Sequence, residues 1–77
     1  MKEIKVYGAE WCPDCRRANQ FLEENKVTFG KVDVGEGDNA AYVEKINNGK
    51  RIIPTVVING EAFTNPNNAK LAEILGL

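Results

Sequence analysis

Apolar and polar positions alternate over residues 3–7, where Ile4 and Val6 interleave with Lys5 and Tyr7, and this period of two predicts a strand closed by Gly8. The spacing then changes. From 13 to 25, Cys15, Ala18, Phe21 and Leu22 recur at steps of three and four, with Pro13 suited to a first helical turn, which predicts an amphipathic helix. Residues 27–34 carry the β-branched and aromatic side chains of a second strand, interrupted by Gly30 and Lys31. Gly35, Glu36 and Gly37 form a turn, and Asp38 is placed to cap a short helix marked by Tyr42, Val43 and Ile46 that stops at Asn48-Gly49. Thr55–Ile58 and Glu61–Thr64 flank Asn59-Gly60, the residue pair that a two-residue type I′ hairpin demands. Asn65 and Pro66 read as N-cap and first-turn proline of a last helix, with Ala69, Leu71, Ala72, Ile74 and Leu75 on its buried side.

The element string is therefore β-α-β-α-β-β-α. A strand, a helix and a strand of this length form a crossover unit, so the first two strands should be parallel, while the hairpin adds two antiparallel ones. The expected fold is α/β: a four-stranded mixed sheet with helices packed on it. With 77 residues, 43% of them apolar, the chain has material for one small core, so residues 1–77 are read as a single domain. In so small a core Phe21, Leu22, Val56 and Ile58 should each matter to stability.

Composition narrows the chemistry. A formal net charge of -1 gives no electrostatic excess for a polyanion or an anionic membrane, so neither nucleic acid nor lipid is the expected partner. The absence of His removes the commonest general base and metal ligand. No stretch approaches the ~20 apolar residues that span a bilayer. Lys2 and Glu3 lead directly into the first strand pattern without an apolar leader, so a soluble, cytoplasmic protein is expected.

The reactive segment is Trp11-Cys12-Pro13-Asp14-Cys15, at the handover from strand to helix. Two cysteines three apart cannot staple distant parts of a fold together. Nor do they fill a closed zinc site, which wants four ligands; no metal site is expected. An inert buried pair is the remaining bland reading, and Trp, Pro and Asp at a strand-to-helix junction argue instead for exposure of at least one sulfur. If Pro13 opens the helix, Cys12 lies at its N-terminus, where unpaired N–H groups and the helix dipole favour a thiolate, making Cys12 the expected nucleophile. Cys15, one turn on and partly covered by the sheet, is the expected resolving thiol. Arg16 and Arg17 add positive charge one turn below, and Asp14 opposes it. Trp11, the one Trp, is read as a half-exposed ring lining the site.

The Cys12-Pro13-Asp14-Cys15 motif after a strand, Ile53-Pro54 before a hairpin and a short last helix, together covering 4–75, resemble a glutaredoxin of the thioredoxin fold. The resemblance implies a cis Ile53-Pro54 bond packed against the cysteines, with the Ile53 backbone pairing with bound peptide or glutathione. It implies a thiol-disulfide oxidoreductase with no tightly bound cofactor, glutathione as cosubstrate, disulfide-containing proteins as partners, and a monomer. Several positions depart from the family pattern. The usual lysine before the first cysteine falls at about Ala9, the aromatic residue there is Trp11, and Thr-Val-Pro becomes Ile52-Ile53-Pro54. The Gly-Gly and Asp-Asp elements that hold the γ-glutamyl end of glutathione fall on Thr64-Asn65 and Asn67-Asn68. Each departure weakens a glutathione contact. The start of the last helix still offers N–H groups to a carboxylate, and Lys50 and Arg51 another site, unless those two are a solvated loop charge pair. The same segments resemble mycoredoxin-type proteins, whose reductant is a different low-molecular-weight thiol, and NrdH-like redoxins coupled to thioredoxin reductase. An iron-sulfur cluster carrier, with two chains each giving Cys12, is the binding-class alternative, hindered by Pro13. A partner-docking domain whose cysteines never turn over is the third.

Overall fold

A computed structural model describes residues 3–77, so the reading at Lys2 lies outside the described residues. The elements follow the expected order: β1 Ile4–Gly8, α1 Pro13–Glu24, β2 Gly30–Asp33, α2 Asn39–Ile46, β3 Thr55–Ile58, β4 Glu61–Thr64 and α3 Asn68–Leu75. The sheet order is β2-β1-β3-β4, with β1 parallel to β2 and antiparallel to β3, and β3 antiparallel to β4. This is the mixed sheet expected of a thioredoxin fold.

Alternation in β1 sends Ile4 and Val6 to one face, where they meet Ala18 and Leu22 of α1, Val56 and Ile58 of β3, and Leu71 and Leu75 of α3. Phe21, Val27, Phe29, Phe63 and Ile74 pack around this cluster half-buried. Of the four residues singled out for stability, Leu22, Val56 and Ile58 are in the core and Phe21 is at its margin. The opposite face of β1 presents Tyr7, whose ring lies 5.0 Å from that of Tyr42 in α2, next to fully buried Val43. All four residues of β3 are buried because α1 and α3 cover one of its faces and α2 approaches the other. Central position in the sheet explains a run that does not alternate.

Two boundaries and one cap differ from expectation. Strand β2 is four residues rather than eight: Lys26 adopts φ 57° as the chain leaves α1, and the ladder begins only where Lys5 meets Gly30. Val27 and Phe29 are used for packing, not pairing. Helix α3 starts two residues late. Asn65 has φ 42° and donates its N–H to Pro54 O at 2.7 Å, which closes β4 and leaves the capping role to Asn67, whose Oδ1 accepts from Lys70 N at 2.7 Å. Ala69, placed on the buried side from sequence, consequently faces solvent. Finally, Asp38 occupies the N-cap position of α2 but makes no side-chain cap hydrogen bond. The hairpin is as expected, with Asn59 at φ 51° and Gly60 at φ 86°.

Candidate active site

The sulfur pocket forms where β1 ends and α1 begins. A turn closed by Cys12 N donating to Ala9 O at 3.2 Å delivers Cys12 to the N-cap of α1, and Pro13 occupies the first helical turn, where its missing N–H costs nothing. The Cys12 sulfur takes over a capping role: it accepts from Cys15 N at 3.2 Å. An N–H directed at sulfur from a helix N-terminus is the environment a catalytic thiolate needs. Arg16 N then donates to Cys12 O at 3.1 Å, the first regular bond of the helix.

Cys15 sits beneath Cys12, 1% exposed, against the end of β1. Burial pushes its thiol up to about 12 from 9.0, the Cys12 hydrogen bond and the charges of Cys12 and Asp14 add to this, and a hydrogen bond with the Ala9 backbone works against it. Cys15 is held as a neutral thiol. Gly8 makes the close approach possible, because a Cβ there would stand 2.6 Å from the Cys15 sulfur and 3.0 Å from its Cβ. By local pattern alone Gly8 is only a strand terminator. Its functional signal was the lack of a side chain immediately beneath a Cys-x-x-Cys motif.

Two expectations about exposure change. Cys12 is only 6% exposed, so neither cysteine is open at the residue level. Trp11 is 76% exposed, not half, and projects from the loop as a free apolar surface beside the motif.

Pro54 is buried and the Ile53-Pro54 bond is cis, as the resemblance implied. Among the described residues, neither the N–H nor the C=O of Ile53 has a hydrogen-bond partner. Unpaired backbone at a half-buried position is uncommon and suits pairing with an extended ligand. Two side-chain networks hold this turn. On the α2 side, buried Asn47 donates to Val43 O at 2.9 Å and to Thr55 Oγ1 at 3.2 Å, and Thr55 Oγ1 donates onward to Ile52 O at 2.8 Å. Thr64 Oγ1 completes it by donating to Asn47 Oδ1 at 2.5 Å. On the α1 side, Arg17 Nη1 donates to Pro66 O and Asn68 Oδ1, each at 3.0 Å, and Nη2 to Asn65 Oδ1 at 3.3 Å.

Several of the residues expected to hold glutathione have side-chain atoms bonded within the chain. Thr64 is bonded to Asn47, Asn65 and Asn68 to Arg17, and Asn67 to the α3 backbone. Arg51 pairs with Glu44, through Nε and Nη2 both at 3.1 Å from Oε2, while Lys50 is exposed with no ion pair among the described residues. Arg17, expected to bias the sulfurs by charge, is instead directed at the β4–α3 connection. Neither Arg17 as a bridge nor Asn47 as a buried hub was found from sequence. Their partners lie up to 51 residues away, and nothing local marks them. Among the described residues no three His, Cys, Asp or Glu side chains cluster as a metal site requires.

Comparison with known proteins agrees with this geometry. The family model described as Glutaredoxin matches residues 4–63. A Mycobacterium tuberculosis protein provisionally named a glutaredoxin is 34% identical over 79 residues, covering 95% of this chain and 94% of that one. Mycoredoxin 1 of Corynebacterium glutamicum is 34% identical over 68 residues, covering 86% and 84%. The crystal structure of the glutaredoxin from Archaeoglobus fulgidus superposes with a TM-score of 0.77 at 30% identity, covering 97% of this chain and 87% of that one.

Proposed function

The chain belongs to the glutaredoxin family and is a thiol-disulfide oxidoreductase, and from that premise we propose that Cys12 is its attacking sulfur and Cys15 its resolving one. The observation that carries this is the asymmetry of the pair: Cys12 accepts an N–H at a helix N-terminus, while Cys15 is held protonated beneath it. Cys12 thiolate attacks one sulfur of a substrate disulfide and expels the other as a thiolate. Cys15 then attacks the Cys12 sulfur, its proton passing to the departing second thiolate, and an internal Cys12-Cys15 disulfide remains. An external thiol donor supplies the two electrons that restore the dithiol. Ile53 supports the substrate by its free N–H and C=O, with Pro13 next to the Cys12 sulfur at the start of α1, Pro54 fixing the turn that carries Ile53, and Trp11 a neighbouring apolar surface.

Substrates of this reading are protein disulfides and mixed disulfides of glutathione. For the latter, Cys12 would take the glutathionyl group and a second thiol would release it, so that Cys15 is dispensable. Cys12→Ser should abolish both reactions, and Cys15→Ser only the reduction of protein disulfides. Full turnover of a glutathione mixed disulfide by Cys12→Ser would overturn the assignment.

A second reading concerns the donor: thioredoxin reductase or another low-molecular-weight thiol rather than glutathione, in the manner of a mycoredoxin or an NrdH-like redoxin. It is supported by the internal bonding of the Thr64 hydroxyl, of the Oδ1 atoms of Asn65, Asn67 and Asn68, and of Arg51, which reduces the side-chain groups left to hold glutathione. Coupled assays separate the two readings. NADPH consumption through glutathione reductase favours glutathione; consumption only through thioredoxin reductase, with folded and reduced protein, favours the second.

A further inference from the structure

The carbonyl of Pro54 is tied to the β4–α3 connection by Asn65 N at 2.7 Å, and that connection is tied to α1 by Arg17. A continuous chain of contacts therefore runs from the helix that carries both sulfurs to the turn that carries the Ile53 backbone. Arg17 stands two residues beyond Cys15, and all three of its acceptors, Pro66 O, Asn65 Oδ1 and Asn68 Oδ1, are neutral oxygens. No carboxylate competes for the guanidinium among the described residues. Its planar fork engages the three acceptors at once, which a single ammonium cannot reproduce in the same geometry. Disulfide exchange needs the attacking sulfur and the held substrate in fixed relative position, and a displacement of ~1 Å can cost on the order of 10²-fold in rate.

We propose that Arg17 is a positioning residue for disulfide substrates, setting the placement of the Ile53-Pro54 turn relative to the Cys12 sulfur through Pro66, Asn65 and Asn68. This rests on the reading of Cys12 as the attacking sulfur. The role is geometric: its charge is spent on the loop oxygens and is not needed at sulfur.

The test compares two reactions of the reduced full chain. Iodoacetamide reports on the Cys12 sulfur alone. An extended pentapeptide whose single cysteine is joined in a disulfide to thionitrobenzoate requires backbone docking, and its exchange is read from the released chromophore. Arg17→Met and Arg17→Lys should each slow the peptide exchange about tenfold or more, while the alkylation rate and its pH midpoint stay as in wild type. Asn68→Ala should slow exchange less, and add little to Arg17→Met, because the two remove one shared contact. Equal loss in alkylation and exchange would overturn the proposal, as would restoration by Arg17→Lys, since either points to charge acting at sulfur. Unchanged exchange in both Arg17 variants, with Cys12→Ser inactive, sinks the Arg17 proposal alone. Chromophore release that survives Cys12→Ser sinks the attacking-sulfur reading and this proposal with it.

Discussion

The sulfur pocket and the edge formed by residues 64–68 are built from similar amounts of polar chemistry, yet they use it in opposite ways. In the pocket, the Cys15 N–H in the first turn of α1 is directed at the Cys12 sulfur, and burial pushes the Cys15 thiol up. Along the edge, the Thr64 hydroxyl and the Oδ1 atoms of Asn65, Asn67 and Asn68 are engaged inside the chain: with Asn47, with Arg17, and with the start of α3. These polar residues therefore have an architectural role, tying β4 and the start of α3 to α1 and α2. Reactivity depends on which groups are left facing the substrate, and on the reading proposed above those are the Cys12 sulfur and the Ile53 backbone.

The contrast can be pressed hardest at Cys15. Its thiol is raised from 9.0 to about 12 in the folded chain, so the unfolded chain loses that proton first. The stabilisation is complete below pH 9.0 and is lost as pH climbs toward about 12. Urea titrations of wild type and Cys15→Ala at successive pH values should converge as pH rises; parallel curves would deny the burial of the thiol. Next in size is Gly8→Ala. A Cβ 2.6 Å from the Cys15 sulfur overpacks the pocket and should destabilise the fold by about 1–3 kcal/mol. It should also slow closure of the Cys12-Cys15 bond more than the first attack on substrate, measurable by rapid acid quench of the mixed disulfide.

Asn47→Ala moves the test to the edge. It strips the buried hub of its bonds to Thr55 and Thr64 and should cost about 1–2 kcal/mol in denaturant titration, without altering the alkylation rate of Cys12. The smallest effect is expected from Arg51→Ala. An exposed pair with Glu44 contributes under about 1 kcal/mol, so stability should hardly move. If Arg51 is committed to Glu44, the KM for a glutathione mixed disulfide should also stay near the wild-type value, and a clear rise would place Arg51 in a glutathione site.

Local physics made much of this protein legible in its sequence. Alternation at Ile4 and Val6, the helical spacing of Cys15, Ala18 and Leu22, and the left-handed preference of Asn59-Gly60 are properties of neighbouring residues, and each produced the expected element. The Cys-Pro-Asp-Cys motif was readable for the same reason, since a proline that starts a helix places the preceding residue at its cap. What the tertiary structure decided lies at longer range. Asn65 could cap a helix by local preference, but its N–H is claimed by Pro54 and the cap passes to Asn67. Arg17 could serve the sulfurs by proximity in sequence, yet its acceptors lie 48 to 51 residues away and are closer in space. The space that Gly8 leaves matters only because α1 folds back over β1 and brings a sulfur against it. A sequence pattern specifies which conformations a segment prefers, whereas the partners of a hydrogen-bonding group and the depth of a thiol exist only after distant segments have packed.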